Sequence, residues 1–147
     1  MKKTSVQINE QAFNIFNNKL AVMRIFFLNP TSEFTVTDVA SKTGLSKATA
    51  SKVIEELGKR NLVTIVPLGV AYRIRANIDS DVFIREKIAF NISSILRSSL
   101  VPLLIEKFHN PKCIILFGSY RKGEDMPGSD IDLGVEASRG AETEIFS

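Results

Sequence analysis

The chain has 147 residues, of which 44% are hydrophobic and 24% charged, the balance of an ordinary soluble globular protein with room for one large or two small domains. A membrane protein and a secreted one are both excluded as expectations, because Ile25-Phe26-Phe27-Leu28 is far too short to span a bilayer and Met1-Lys2-Lys3 runs into polar residues; a cytoplasmic location is expected. The net charge of +3 is unevenly shared, with 11 Lys and Arg against 5 Asp and Glu in residues 1–76 and 8 against 11 in residues 77–147, so the first part is the one suited to a polyanion.

Phe13 to Leu28 places Phe13, Phe16, Leu20, Met23 and Phe27 on one stripe, widened by Ile15, Val22, Ile25, Phe26 and Leu28. This spacing predicts a helix with a broad buried face. Asn29-Pro30 ends it. Phe34-Thr35-Val36 follows as a short extended piece, and Thr37 is a candidate cap for a helix over Asp38 to Thr43. Gly44 stops that helix, Leu45 plugs the turn, and Ser46 caps a second helix running to about Arg60. Ala50, Val53, Ile54 and Leu57 share its inner face, leaving Lys47, Ala48, Ser51, Lys52 and Glu55 outside. Two β-like segments, Leu62 to Val66 and Val70 to Ile74, joined by Pro67-Leu68-Gly69, then read as a hairpin.

Helix, glycine turn, helix and hairpin form a winged helix-turn-helix. Asp38-Val39-Ala40, Gly44-Leu45-Ser46-Lys47 and Leu57-Gly58-Lys59-Arg60-Asn61-Leu62-Val63 resemble MarR and ArsR-like regulators. The resemblance implies a second helix docked in the major groove of double-stranded DNA, with Lys47, Thr49, Ser51 and Lys52 near bases or phosphates and Arg73 supporting from the wing. The outer helix face offers no Arg, Asn or Gln at its start, so phosphate positioning outweighs base readout. The wing tip, Val66 to Ala71, has no cation. A winged helix that binds protein is the competing reading, and the charge asymmetry weighs against it.

Asp79-Ser80-Asp81 opens an apolar helical stretch in which Pro102 sits in the first turn of a second helix after Ser98-Ser99. A long apolar helix at this place suits a homodimer seam, and its alternative is packing on its own neighbours. Cys113 to Phe117 is a short β-branched run read as a buried strand that keeps Cys113 reduced and inert, while His109 decorates a helix C-terminus.

Gly118-Ser119 ends that strand where a phosphate can approach backbone N–H groups. Asp130-Ile131-Asp132-Leu133-Gly134-Val135 alternates polar with apolar, so as a strand it sends Asp130 and Asp132 to one face and Ile131, Leu133 and Val135 to the core. Paired carboxylates repel unless neutralised, and Mg²⁺ with a nucleoside triphosphate (NTP) is the expected solution.

Gly-Ser, ten residues, then Asp-x-Asp resembles the signature of the DNA polymerase β-type nucleotidyltransferase superfamily, closest to its minimal members, over roughly Leu100 to Val135. The resemblance implies that Gly118, Ser119, Arg121, Lys122 and Ser129 surround the NTP. Asp130 and Asp132 would bind the metal as the catalytic pair. Its third carboxylate, on a later strand, is not found: only Glu136, Glu142 and Glu144 follow Asp132. A fragment of a longer protein, a partner subunit completing the site, and a domain that binds without transfer chemistry all remain open.

The expected fold class is α+β: a winged helix-turn-helix (1–76), a connecting helix (77–99) and a small, incomplete nucleotidyltransferase-like α/β domain (100–147). The expected function is DNA-binding transcriptional regulation with a domain that binds Mg-NTP, with a toxin-antitoxin-like protein partner. The alternative is an active nucleotidyltransferase passing NMP from NTP to a hydroxyl of a protein, RNA or small molecule.

Overall fold

The computed structural model describes residues 10–69, 71–136 and 145–146, with backbone alone at 10–13 and 145–146. The chain forms two compact units, Met1–Asn77 and Ile78–Ser147. Glu142 and Glu144, which follow the Asp pair in sequence, the side chain of Phe13 and the hairpin position Val70 lie outside the described residues.

The first unit runs α1 (Glu10–Leu28), β1 (Glu33–Phe34), α2 (Val36–Thr43), α3 (Lys47–Lys59), β2 (Val63–Leu68) and β3 (Ala71–Ala76). β3 pairs antiparallel with both β1 and β2, giving the order β1-β3-β2. Its core is Val22, Phe26, Val39, Ala50, Leu57, Leu62 and Ile74, each nearly or wholly buried. Phe26 meets Phe34 edge to face at 5.7 Å and 84°, the favoured geometry for two aromatic quadrupoles.

Two local expectations change. Thr35, not Thr37, caps α2, because its hydroxyl accepts from the Asp38 N–H while the Asp38 carboxylate accepts from the Thr35 N–H, a reciprocal capping box. The α1 stripe also divides: Met23 and Phe27 face inward, but Phe16 is 62% exposed and Leu20 48%. Among the described side chains of α1, those of its second half lie against the core, and the innermost are Val22 and Phe26.

The second unit runs α4 (Asp81–Arg97), α5 (Leu100–Lys107), β4 (Cys113–Leu116), α6 (Gly118–Lys122), β5 (Leu133–Glu136) and β6 (Ile145–Phe146). Its sheet order among the described residues is β4-β5-β6, antiparallel throughout. Leu104, Leu133 and Val135 form the core, with Leu100, Phe108, Ile114, Leu116 and Ile131 packed around them. The phase expected for Ile131, Leu133 and Val135 therefore holds.

The break between α4 and α5 falls at Ser98-Ser99. α4 is no free connector: Phe83, Lys87, Asn91 and Ile95 are buried within the second unit at four-residue spacing. β4 is not a sealed strand either, since Ile115 is 57% exposed. Cys113 is half-buried and its thiol donates to Glu136 Oε2 at 3.5 Å.

Candidate functional site

In the second unit, register creates the candidate site. Leu116 lies opposite Leu133, and the ladder extends one step further, with Phe117 N–H donating to the Asp132 carbonyl at 3.1 Å. The next residue, Gly118, is thereby laid against the Asp132 side chain. Gly118 has φ +69°, and a Cβ built there would overlap the Asp132 carboxylate, standing 2.8 Å from Cγ. Only glycine satisfies both the left-handed backbone and that close approach.

Asp130 and Asp132 precede β5, which begins at Leu133, instead of lying within it, although the Asp132 carbonyl still accepts from Phe117 N–H. Asp132 is half-buried and Asp130 exposed. Asp130 lines a cleft of about 450 Å³ with Tyr120, Ser129, Ile131, Leu104 and Lys107. Ser129 closes the turn before it, its hydroxyl accepting from Met126 N–H at 2.9 Å while its own N–H donates to the Met126 carbonyl at 2.9 Å. Ser119 is half-buried, and Arg121 and Lys122 are exposed at the end of α6. Burial, then the nearby Asp125 charge, pushes the Tyr120 hydroxyl above its usual range.

Among the described residues no three His, Cys, Asp or Glu side chains gather into a metal cage. The donor set nevertheless suits a hard cation that takes one or two carboxylates and completes its shell with phosphate oxygens and water. Glu136 is no third ligand: it ends β5, four residues beyond Asp132, and faces Lys112 at 3.6 Å and the Cys113 thiol.

Sequence reasoning missed a buried network beside this site. Asp125 is 7% exposed, Lys87 1% and Asn91 2%. Lys87 Nζ and Asn91 Nδ2 each donate to one Asp125 oxygen at 2.6 Å, and Asn91 Nδ2 also donates to the Tyr120 carbonyl at 3.0 Å. Lys87 and Asn91 stand in phase with Phe83 and Ile95 on the buried face of α4, a spacing that by itself does not separate a buried polar side chain from an exposed one.

In the first unit, Gly44 (φ +72°) turns the chain between α2 and α3, and the Ser46 hydroxyl accepts from the Thr49 N–H. Lys47, Ser51 and Lys52 are exposed along one side of α3. Thr49 differs: half-buried, its hydroxyl shares a 2.8 Å hydrogen bond with Ser46. Arg73 is exposed on β3, near enough to Asp38 to help hold that carboxyl low, after the larger effect of the Thr35 hydrogen bonds. Arg75 lies 4.0 Å from Glu33 and 3.3 Å from the Thr64 hydroxyl.

Residues 97–146 match the family model described as the nucleotidyltransferase domain. No curated protein matches the chain. Similar solved structures are a homodimeric winged helix-turn-helix DNA-binding domain from Mycobacterium bovis, a possible ArsR-family regulator (18% identity, 64% of this chain and 93% of that one, TM-score 0.42), and the adhesin competence repressor AdcR from Streptococcus pyogenes (18%, 67% and 81%, 0.42). NolR from Sinorhizobium fredii is also similar (18%, 71% and 97%, 0.35). Likeness at this level carries no assignment, and the winged-helix architecture rests on the element order and sheet topology above. No single helix among the described residues is long and apolar enough to cross a membrane.

Proposed function

We propose that this chain, a winged helix-turn-helix unit joined to a nucleotidyltransferase domain, is a cytoplasmic DNA-binding transcriptional regulator whose second unit binds Mg²⁺-NTP. The observation that carries the nucleotide half is the seating of Asp132 against Gly118, which brings a carboxylate to the bend where a phosphate chain can approach backbone. Asp130 and Asp132 would hold the ion, Gly118 and Ser119 the phosphates, and Arg121, Lys122 and Ser129 the periphery. Bound there, Mg²⁺ would neutralise phosphate charge and orient the triphosphate.

The DNA half rests on α3, whose Lys47, Ser51 and Lys52 are exposed, as is Arg73 on β3, in the basic part of the chain, residues 1–76. Thr49 acts mainly through the Ser46 cap in this reading. The protein works as a homodimer reading two half-sites, with a toxin-antitoxin-like protein partner. The test of the nucleotide half is calorimetric titration of the full chain with Mg²⁺-ATP. Asp132→Asn should remove binding that the wild type shows, and equal affinity in both would overturn the assignment.

Active NMP transfer is the second reading, favoured by the exposed Asp130 lining the 450 Å³ cleft, a volume within the range of small-molecule sites. Label transferred from α-labelled ATP to protein or RNA, lost in Asp130→Asn and Asp132→Asn, would establish it. Transfer surviving both substitutions would exclude this site as its source.

A further inference from the structure

The segment linking the two halves of the motif is held by one face of α4. Ile84, Lys87, Ile88 and Asn91 recur at three- and four-residue spacing, so they lie on one side of the helix. Each meets that segment. At Gly123 (φ +72°), a Cβ would stand 3.0 Å from the Ile84 carbonyl and 3.1 Å from Ile88 Cγ1. Asn91 binds the Tyr120 carbonyl and one Asp125 oxygen, and Lys87 binds the other Asp125 oxygen at 2.6 Å.

Stability alone does not account for this pair. Removing two charges from water costs about as much as their attraction returns, and apolar residues of like volume often serve equally well. What the network adds is geometry. Both oxygens of Asp125 are fixed by donors one turn apart on a single helix. Just beyond Asp125, the Met126–Ser129 turn closes and delivers Asp130.

We propose that Lys87 and Asn91 are positioning residues that act through Asp125. They fix the Tyr120–Ser129 segment, and with it the placement of Ser119 and Asp130 for a bound Mg²⁺-NTP. The inference rests on the nucleotide-binding reading above. Neither residue touches the ligand in this scheme. α4 is therefore part of the nucleotide site's framework.

The experiment uses the full chain and the double variant Lys87→Met/Asp125→Leu, which replaces the buried pair with apolar groups. Thermal midpoint, Mg²⁺-ATP affinity and amide hydrogen exchange are measured together. The double variant should melt near the wild type, yet bind at least about tenfold more weakly, the loss typical when groups that orient metal ligands are removed. Amides of residues 118–122 and 129–132 should exchange about tenfold faster while those of β4 and β5 do not change, the pattern of local opening. Wild-type affinity and wild-type exchange in the double variant would overturn the proposal. If the double variant does not fold, Asn91→Ala takes its place, and the same two outcomes support or overturn the proposal. If the wild type itself does not bind Mg²⁺-ATP, the nucleotide reading fails, and exchange alone decides: local acceleration supports positioning, and uniform or absent acceleration overturns it.

Discussion

Asp132 fills the space that a side chain on Gly118 would need, with its Cγ 2.8 Å from an ideal Cβ at that glycine. The two residues are fourteen positions apart in sequence and meet because β4 and β5 are antiparallel with Leu116 opposite Leu133. The motif is thus a property of strand register, and a one-residue slip would turn Asp132 to the other face.

Gly118→Ala should therefore harm both stability and binding. The backbone at φ +69° is unfavourable for alanine by about 1–2 kcal/mol, and the Cβ displaces the carboxylate besides. Chemical denaturation should show at least that loss, and calorimetry should show Mg²⁺-ATP affinity falling with it. An alanine variant with wild-type stability and affinity would contradict the geometry.

Two lysine substitutions separate a buried ion pair from an exposed one. Lys87→Met leaves the Asp125 carboxylate buried without its cation and should cost about 3–5 kcal/mol in urea unfolding. Lys59 pairs with Glu55 at 2.7 Å, but the side chains are 71% and 66% exposed. Lys59→Met should leave the unfolding midpoint within experimental error.

Acid should weaken the first unit through Asp38. The Thr35 hydroxyl and N–H donate to Asp38 Oδ2 at 2.7 and 2.8 Å, and these hydrogen bonds, the side-chain one foremost, hold the carboxyl below its ordinary 3.8. Because the folded value lies below the unfolded one, the stabilisation is fully present above 3.8 and is lost as pH falls through the lower folded value. Thr35→Ala should lower the thermal midpoint near neutrality and flatten its decline in acid. An unchanged acid profile would show that the capping box does not couple to this titration.

DNA affinity should depend on Lys47 and Lys52 mainly through salt. Each lysine to alanine change should weaken binding across sequences and reduce the log–log salt slope by about 1. Ser51→Ala should have a smaller effect and leave the slope unchanged. Gel-shift titrations over a range of salt concentrations check this, and an unaltered slope in the double lysine variant would remove α3 from the interface.

Self-association should depend on the outer face of α1. Ile15, Phe16 and Leu20 are all more than 45% exposed, and contiguous apolar side chains of this kind commonly mark contact surfaces. Phe16→Glu with Leu20→Glu should halve the mass seen by light scattering if the wild type is dimeric. A doubly substituted chain that keeps the dimer mass would place the contact elsewhere.

Much of the fold was legible in local patterns. Gly44 and Ser46 mark the turn and cap between α2 and α3, and the alternation Ile131-Leu133-Val135 marks the inward side of β5 and of the residues leading into it, because caps and period-two burial depend only on neighbouring residues. Thr35 and Thr37 could not be separated this way, since either hydroxyl could begin a helix. Asp38 decides between them by returning a hydrogen bond to Thr35.

Local pattern was enough to mark most of the inward-facing residues, the ends of most helices, and the coexistence of a glycine-serine bend with an Asp-x-Asp pair. What those elements meet came only with the folded chain: Asp132 seats against Gly118, α4 belongs to the second unit, and Lys87 and Asn91 turn inward to Asp125. Lysine and asparagine carry no local preference for a buried position, and an ion pair 38 residues apart in sequence forms only when the fold brings both partners together with the hydrogen bonds that offset their desolvation.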